Sequence, residues 1–356
     1  MTLPHSMRAA VMYDVDDIRI EERPLPLTGP SDILVRSAAS GVCSGDLMPW
    51  YVRRKAPFVF GHEPAGTVVA VGAEAPRARD GRAFEVGDRL FAHHHAPCFA
   101  CDFCARGEYV HCSTWRGSAL DPGGMAEYFR VPQANLGDAH VLPRDLSFAD
   151  GALVEPLGCV VKSLRRAQPA GGYAGRTLYA IGAGVMGLMH VAVAASRGAR
   201  VFASDFHSKR RELARELGAE ASFAPEDALE ALRARTGGRG ADAVICGPGS
   251  PAALSHAVEA GAPDAAVLMF TPIEPDERFA FDQSTAYFRD VRLIASYSCG
   301  PDDTLEALDL LRSGVVSARR LGVEAFTFPD VAAAYDAMRR AEVVKAVVTF
   351  ESPDPS

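Results

Sequence analysis

A short stretch of the sequence carries four cysteines at the spacing of a metal site. The stretch CFACDFCARGEYVHC contributes Cys98, Cys101, Cys104 and Cys112, with two residues between each successive pair of the first three. Four thiolates at this spacing suit a closed tetrahedral zinc ion, which stabilises a loop and leaves no position for a substrate. We therefore predict a structural zinc site, with disulfides or an iron–sulfur cluster as the alternatives.

A second set of potential ligands is dispersed along the chain. Cys43 lies in GVCSGD, His62 and Glu63 lie in GHEPAG, and Glu155 is the one charged residue in the apolar run ALVEPLGCVV. A buried carboxylate needs an ion pair or a metal, because burying it without a partner is costly. A thiolate, an imidazole and carboxylates are suitable ligands for a catalytic zinc ion that keeps one position open.

A glycine-rich turn in the second half predicts a dinucleotide site. It consists of Gly182, Ala183, Gly184, Val185, Met186 and Gly187. The turn follows a predicted strand and opens a predicted helix, where free N–H groups favour a pyrophosphate.

The next predicted strand indicates which nucleotide binds. This strand leads to Asp205, 23 residues after Gly182, where a carboxylate can bind a ribose and repels a 2′-phosphate. We expect NAD, with Arg210 covering the adenine. The run Lys209 to Arg211 is basic and leaves NADP as the alternative.

The elements that must position these residues change in character along the chain. Over about the first 150 residues, short apolar runs alternate with glycine and proline breaks, which is typical of an irregular β domain. From residue 176, strands alternate with Ala-rich helical patterns, which predict a parallel sheet covered by helices. The predicted fold class is α/β.

Composition narrows the possible functions. The 356 residues are 48% hydrophobic and 23% charged, which fits a globular protein of about two domains. A net charge of −8 argues against nucleic acid as a partner. No apolar run reaches the roughly 18 residues of a membrane span, and the first residues do not resemble a signal peptide. We expect a cytoplasmic protein without a membrane partner.

Five motifs occur in order along most of the chain: GHEPAGTVVAVG, CFACDFCARGEYVHC, DPGGMAEY, EPL and GAGVMG. Together they resemble the zinc-dependent medium-chain alcohol dehydrogenase family, and within it the sorbitol and threonine dehydrogenase-like branch. The resemblance implies a GroES-like β catalytic domain over residues 1–155, completed by 300–356. It implies a Rossmann dinucleotide-binding domain, a doubly wound parallel sheet, over 156–299, and a homotetramer or homodimer.

The resemblance also implies the chemistry. Cys43, His62 and Glu155 would hold a catalytic zinc ion, with Glu63 a fourth ligand or a close neighbour, and the four clustered cysteines would hold a structural one. The expected reaction transfers hydride between NAD and a secondary alcohol of a polyol, sugar or cyclitol, giving the ketone. A threonine or amino-alcohol substrate is the alternative. A metal-free quinone reductase and a non-catalytic zinc protein that binds a nucleotide are more distant alternatives.

Two departures from the family pattern affect the substrate and the proton path. The first ligand motif usually reads Cys-Gly-Ser/Thr-Asp, but Gly45 stands here where the proton-relay hydroxyl is expected. The hydroxyl is then that of Ser44, a water or Tyr51. The segment LIASYSC at 293–299 lacks the arginine with which sorbitol dehydrogenases hold a polyol.

Several other residues near these motifs have an ordinary structural explanation. The run His93 to His95 is predicted to line a cleft, with His95 as a possible substrate contact. Cys159 is predicted to pack in the core instead of replacing Glu155 as a ligand. Four aromatic residues are either pocket walls or core packing: Trp50, Tyr51, Trp115 and Tyr297.

Overall fold

The computed structural model describes residues 3–350, which form two compact units. The first unit contains the residues up to Gly158, together with Cys299–Arg312 and the residues from Ser317 onward. The second unit contains Cys159–Ser298 and Ser313–Val316. The fold is α/β, as predicted. None of the helices within residues 3–350 has the length and apolar character needed to cross a membrane.

Sixteen strands are present in the described part of the chain. They are β1 Ser6–Asp14, β2 Asp17–Pro24, β3 Ile33–Gly41, β4 Phe58–Val59, β5 Pro64–Val71, β6 Arg89–Ala92, β7 Tyr128–Val131, β8 Ala139–Val141, β9 Thr177–Ile181, β10 Arg200–Ser204, β11 Ala221–Phe223, β12 Ala241–Cys246, β13 Gly261–Met269, β14 Arg292–Ala295, β15 Glu324–Thr327 and β16 Ala346–Thr349.

Twelve α-helices are present in the same residues. They are α1 Pro49–Arg53, α2 Asp102–Ala105, α3 Ser113–Gly117, α4 Phe148–Gly151, α5 Val154–Arg166, α6 Val185–Ser196, α7 Ser208–Glu216, α8 Ala228–Arg235, α9 Pro251–Ala260, α10 Gln283–Phe288, α11 Pro301–Arg312 and α12 Val331–Arg339. Short 3₁₀ helices cover Ser44–Leu47, Tyr109–His111, Gln133–Asp138 and Phe328–Asp330.

The first unit is a GroES-like β domain to which both ends of the chain contribute. Its larger sheet has the strand order β15-β16-β3-β5-β6-β8, and β7 also pairs with β3. The C-terminal strand β16 is antiparallel to β3, with Val347 opposite Gly41. Apolar residues of β3, β5, β6 and β7 form the core beneath this sheet. A smaller sheet of order β2-β1-β4 completes the unit.

The second unit is a Rossmann sheet. Its six strands are all parallel, in the order β11-β10-β9-β12-β13-β14. Four of the five residues of β9, and all of β12 but Asp242, are buried, as expected of strands covered on both faces. The order of the strands reverses between β9 and β12, and such a switch point is where this fold binds a nucleotide.

Candidate functional site

The four clustered cysteines converge on one point. The Sγ atoms of Cys98, Cys101, Cys104 and Cys112 lie within 4.8 Å of one another. Cys101 Sγ is 3.5 Å from Cys104 Sγ, and the backbone N–H of Cys98 donates to Cys112 Sγ at 3.4 Å. Burial raises the pKa of the Cys112 thiol, but backbone N–H donors outweigh it and lower that pKa to about 6. All eight cysteines are free thiols, so the disulfide alternative has no support.

Cys43, His62 and Glu63 meet because β3 and β5 are paired. Ser40 near the end of β3 lies opposite Pro64 at the start of β5, so the residues just beyond these two ends are neighbours. Ligand atoms of the three residues lie within 4.8 Å of one another. Gly41 is required here, because a Cβ at this position would overlap the Glu63 carboxylate.

His62 lies beside a buried carboxylate. Its Nδ1 lies 3.7 Å from Oδ2 of Asp46, which is only 2% exposed. Burial alone would lower the pKa of His62, but the charges of Cys43 and Asp46 raise it well above its ordinary value. Burial raises the pKa of the Cys43 thiol. The negative charges that raise the pKa of His62 favour a positive charge between these groups, and a metal ion bound there would have to displace the protons of its ligands.

Glu63 forms a buried ion pair that the sequence did not indicate. Its Oε2 accepts a hydrogen bond from Lys345 Nζ, and both side chains are 1% exposed. Lys345 also donates to the carbonyl of Val42 at 2.8 Å. The second oxygen of Glu63 is buried and has no hydrogen-bond partner among the described residues. One oxygen is thus held by Lys345 and the other is available.

Glu155 is buried in the first turn of α5, where the helix dipole favours a negative charge. The charge of Glu155 raises the pKa of His62. The carboxylate itself clusters with two other histidines, His93 and His94. Ligand atoms of Glu155, His93 and His94 lie within 4.8 Å of one another, and the His94 ring is 4.8 Å from the His62 ring. Glu155 is therefore clustered with the histidine run, and His94 brings that run next to His62.

The three histidines after β6 have different surroundings. His93 is fully buried, with Nδ1 2.7 Å from Oδ2 of Asp138. His95 has Nδ1 2.6 Å from the Ser118 carbonyl, and its ring centroid is 4.3 Å from that of Trp115. Burial lowers the pKa of His95 to about 4. Trp115 is 1% exposed and packs with Cys104 and Cys112. Of the two alternatives for this aromatic residue, pocket wall or core packing, the packing favours the second.

Sequence reasoning missed four members of this region. His93 and His94 were expected only to line a cleft, and neither Cys299 nor Lys345 was assigned any role. Cys299 is fully buried, and its Sγ lies 3.7 Å from His93 Nε2. The run of three histidines was the one available signal, and Cys299 lies more than 200 positions away from it.

The candidate relay groups differ in exposure. Ser44 is exposed, whereas Tyr51 is partly buried. Burial raises the pKa of Tyr51. The charge of His62 lowers this pKa, whereas the charges of Cys43 and Glu155 raise it. Lys55 Nζ donates to the Tyr51 hydroxyl at 2.5 Å. Trp50 contacts the Tyr51 ring edge-on, with centroids 5.8 Å apart.

The glycine turn in the second unit has the geometry of a phosphate loop. Gly182 follows β9 with φ of +87°, a conformation that favours glycine, and α6 begins at Val185. A Cβ on Gly187 would overlap the Gly182 carbonyl, whereas Gly184 has open space on its Cβ side. Open space at Gly184, beside the start of a helix, is what a close approach of pyrophosphate requires.

Asp205 lies beside this turn. Its Oδ2 accepts from the Ala183 N–H and its Oδ1 from the His207 N–H, both at 2.8 Å. Arg211 donates to the carbonyls of Asp205 and Phe206, so its guanidinium is engaged with the backbone. Arg210, expected to cover the adenine, is partly buried at the start of α7.

The two remaining residues lie on the second unit. Cys159, predicted to pack in the core, is partly buried on α5. Tyr297 is 63% exposed, and its carbonyl accepts from Lys162 at 2.7 Å. Neither observation assigns these residues to the site.

Comparison with known proteins agrees with this architecture. The family model of the alcohol dehydrogenase GroES-like domain matches residues 29–143, and that of zinc-binding dehydrogenases matches 185–313. Sorbitol dehydrogenase of Bacillus subtilis is 30% identical over 359 residues, covering 96% of this chain and 95% of that protein. L-threonine 3-dehydrogenase of Symbiobacterium thermophilum is 36% identical over 251 residues, 68% of each chain.

Solved structures give the same result. A chain from Sinorhizobium meliloti, described as a zinc-binding dehydrogenase bound to NADP, has a TM-score of 0.83 at 27% identity. The alignment covers 97% of this chain and 99% of that one. The fold and these relatives define a zinc-binding oxidoreductase that acts on CH–OH groups. The chain belongs to the zinc-dependent medium-chain alcohol dehydrogenase family, in its sorbitol and threonine dehydrogenase-like branch.

Proposed function

We propose that this chain transfers hydride between NAD and a secondary alcohol of polyol, sugar or cyclitol type, with Cys43, His62 and Glu155 as the ligands of a catalytic zinc ion. The observation that carries the proposal is the convergence of Cys43, His62 and Glu63 at the paired ends of β3 and β5. A metal-free reductase would not need these donors together. The fold alone would not require them either, because a buried thiol and imidazole can be replaced by apolar groups.

The donor set fits zinc. A thiolate, an imidazole and a carboxylate are ligands that zinc accepts with one position left open. Zinc held there would act as a Lewis acid on the alcohol oxygen. Asp46 places a buried negative charge beside the His62 ring, and Lys345 holds Glu63 beside the site. We assign the second zinc ion, which is structural, to the four clustered cysteines.

The proton path is proposed to run through Tyr51. Gly45 has no hydroxyl and Ser44 is exposed. Tyr51 is partly buried, and the charges of His62 and Cys43 shift the pKa of its hydroxyl. Its hydrogen bond from Lys55 gives the proton a route toward the surface. Tyr51→Phe should therefore change the pH profile of the reaction, whereas Ser44→Ala should leave it unchanged. The opposite result would assign the relay to Ser44.

We propose NAD as the coenzyme, bound at Gly182 to Gly187. The Asp205 carboxylate lies within hydrogen-bond distance of Ala183 in the same loop, where it would repel a 2′-phosphate. Arg211 is held by backbone carbonyls, which leaves Lys209 and Arg210 as the nearest basic groups of that run. NADP is the alternative, and the related S. meliloti chain is described as bound to it.

The substrate class is supported by the relatives. The B. subtilis relative is a sorbitol dehydrogenase, while the S. thermophilum relative acts on threonine. The test is NADH formation by the zinc-loaded protein with polyols, cyclitols and sugars, compared with threonine and other amino alcohols. Turnover confined to substrates without an amino group supports the proposal. Turnover that requires the amino group would move the chain to the threonine class.

We also propose that the protein is a homo-oligomer assembled through the second unit. β14 is the last strand of the parallel sheet and pairs only with β13 among the described strands. Tyr287 and Phe288 precede this edge and are 69% and 80% exposed. Light scattering on the purified protein should give a dimer or tetramer, and Tyr287→Asp with Phe288→Asp should lower its mass.

The free thiols fit the reducing cytoplasm in which we expect the protein to work.

A further inference from the structure

We propose that the chain has a further metal position, in addition to the catalytic and structural zinc positions, formed by His93, His94, Cys299 and the shared Glu155, and suited to Zn²⁺ or Co²⁺. Ligand atoms of His93, His94 and Glu155 lie within 4.8 Å of one another. Cys299 Sγ is 3.7 Å from His93 Nε2 and within 4.8 Å of the Glu155 carboxylate. The position is a different group from that of Cys43 and His62, and apart from the shared Glu155 its residues have no role in the proposed reaction.

The distances fit a tetrahedral ion. Zinc binds nitrogen at about 2.0 Å and sulfur at about 2.3 Å, so two such ligand atoms lie roughly 3.5 Å apart. The separation of 3.7 Å between Cys299 Sγ and His93 Nε2 is close to this value before any side chain moves. Two imidazoles, a thiolate and a carboxylate are donors that favour zinc and cobalt over magnesium or calcium.

His93 has the support that metal-bound histidines usually have. A metal-ligating imidazole commonly donates its other N–H to a carboxylate, which fixes the ring. His93 directs Nδ1 to Asp138 at 2.7 Å and Nε2 to Cys299. Asp138 is itself held, because its Oδ1 accepts a hydrogen bond from the Thr304 hydroxyl at 2.5 Å. The side chains of His93 and Asp138 are fully buried, so this arrangement is rigid.

His94 supplies an independent reason for a ligand. Its Nδ1 is buried and has no hydrogen-bond partner among residues 3–350. A buried polar atom without a partner is destabilising, and native structures rarely retain one without a reason. A ring nitrogen of His94 lies within 4.8 Å of the ligand atoms of Glu155 and His93, so a metal ion bound by those two residues would lie close to the His94 ring. The orphaned atom and the oriented His93 ring thus belong to the same cluster of ligands.

Glu155 connects this position to the proposed catalytic one. Carboxylates can bind two metal ions about 3.5–4 Å apart, so one residue can serve both positions. The inference shares Glu155 with the proposed function, but it does not depend on the substrate or on turnover. Metal can therefore be counted in a protein that lacks the other position altogether.

The test uses the full chain carrying Cys43→Ser and His62→Gln, which removes the proposed catalytic set and leaves Glu155. The protein is loaded with Co²⁺, freed of excess ion, and its cobalt is counted by mass spectrometry. We expect two ions per chain, one at the four cysteines and one at the new position. Adding Cys299→Ser and His93→Gln should reduce the count to one, whereas adding Cys246→Ser should leave it at two. Cys246 is a matched control because it is equally buried but lies on β12.

One cobalt ion per chain in the first variant, or a count that Cys299→Ser and His93→Gln do not change, would overturn the proposal. Circular dichroism and coenzyme binding establish that each variant is folded. If the first variant does not fold, the unmodified chain and its Cys299→Ser variant are compared by the cobalt–thiolate absorption. A weaker band in the variant supports the position, and identical spectra contradict it. Absence of NADH formation in the unmodified chain would count against the proposed function alone.

Discussion

The two regions expected to bind zinc are built in opposite ways. The four-cysteine site comes from fifteen consecutive residues, has one kind of donor and lies in a loop with Cys98 exposed. The set around His62 comes from distant segments, mixes sulfur, nitrogen and oxygen, and is held by buried groups such as Asp46 and Lys345. The first region needs only a local loop. The second exists only when the whole first unit is folded.

This difference predicts that one region contributes to stability and the other to the reaction. A closed set of four thiolates leaves no position for a substrate and stabilises a loop. A mixed set with available groups around it can bind a reacting oxygen and tune its proton affinity. Substitutions in the two regions should therefore affect different measurements.

The largest expected effect follows from Glu155→Gln. Loss of a neighbour that supports a metal ligand typically costs about 10–100-fold in activity, and loss of a ligand should cost more. We expect kcat/KM for NADH formation to fall by more than about 100-fold, with little change in thermal stability. Glu259→Gln is the control, because that carboxylate pairs with Arg233 at the surface of the second unit. Equal rates for the two variants would remove Glu155 from the reaction.

Lys345→Met should give the next largest effect, on stability. It leaves the Glu63 charge buried without its cation, and breaking such a pair costs about 3–5 kcal/mol. The thermal midpoint should fall by on the order of 10 °C, at ~2–4 °C per kcal/mol for a domain of this size. The double variant Lys345→Met with Glu63→Gln should recover part of the loss. A midpoint within about 1 °C of the unmodified protein would mean that the pair is not formed.

Cys101→Ser sharpens the contrast between the two regions. We expect loss of one metal ion per chain and a thermal midpoint lower by several degrees, because the loop loses its cross-link. The activity of the remaining folded protein should change by less than about threefold. Metal analysis, calorimetry and initial rates test this together. A loss of activity as large as that of Glu155→Gln would mean that the cysteine cluster takes part in the reaction.

Asp205→Ser extends the test to the second unit. A hydrogen bond to a charged group contributes about 1.5–3 kcal/mol, so the KM for NAD should rise roughly 10-fold or more. The preference for NAD over NADP should fall at the same time, since the charge that repels the 2′-phosphate is gone. The ratio of kcat/KM for the two coenzymes is the readout. An unchanged ratio would show that Asp205 serves only its backbone hydrogen bonds.

Asp32→Asn gives the smallest effect and a pH signature. Burial raises the pKa of Asp32, but hydrogen bonds from Arg130 and from the backbone of Gly29 and Gln133 outweigh it and lower that pKa. The carboxylate therefore adds stability above its unfolded pKa of about 3.9, and this contribution is lost as the pH falls through the folded pKa. The variant should be less stable by about 1–2 kcal/mol at pH 7, and the difference should shrink steadily as the pH falls below the unfolded pKa. A difference that does not depend on pH would contradict this assignment.

The same contrast, between residues close in sequence and residues from distant segments, explains how far the sequence predicts each region. The cysteine spacing, the glycine turn and the alternation of strands and helices after residue 176 are local patterns, and the structure has the predicted fold class. Family motifs brought Cys43, His62 and Glu155 together as a prediction. The partners Asp138, Lys345 and Cys299 carry no local signal, because each meets its neighbour through sheet pairing or helix packing over long sequence distances. Glu63 illustrates this limit, since a carboxylate next to a histidine does not indicate that a lysine 282 positions away will bind it.

The dispersed set of Cys43, His62 and Glu155 is proposed to be a metal-dependent centre for hydride transfer. The most direct test is the rate of NADH formation from the most active alcohol before metal removal, after dialysis against a chelator, and after zinc is returned. We expect the rate to be lost with the metal and restored by zinc, while circular dichroism shows that the chain stays folded. A full rate in metal-free, folded protein would contradict it.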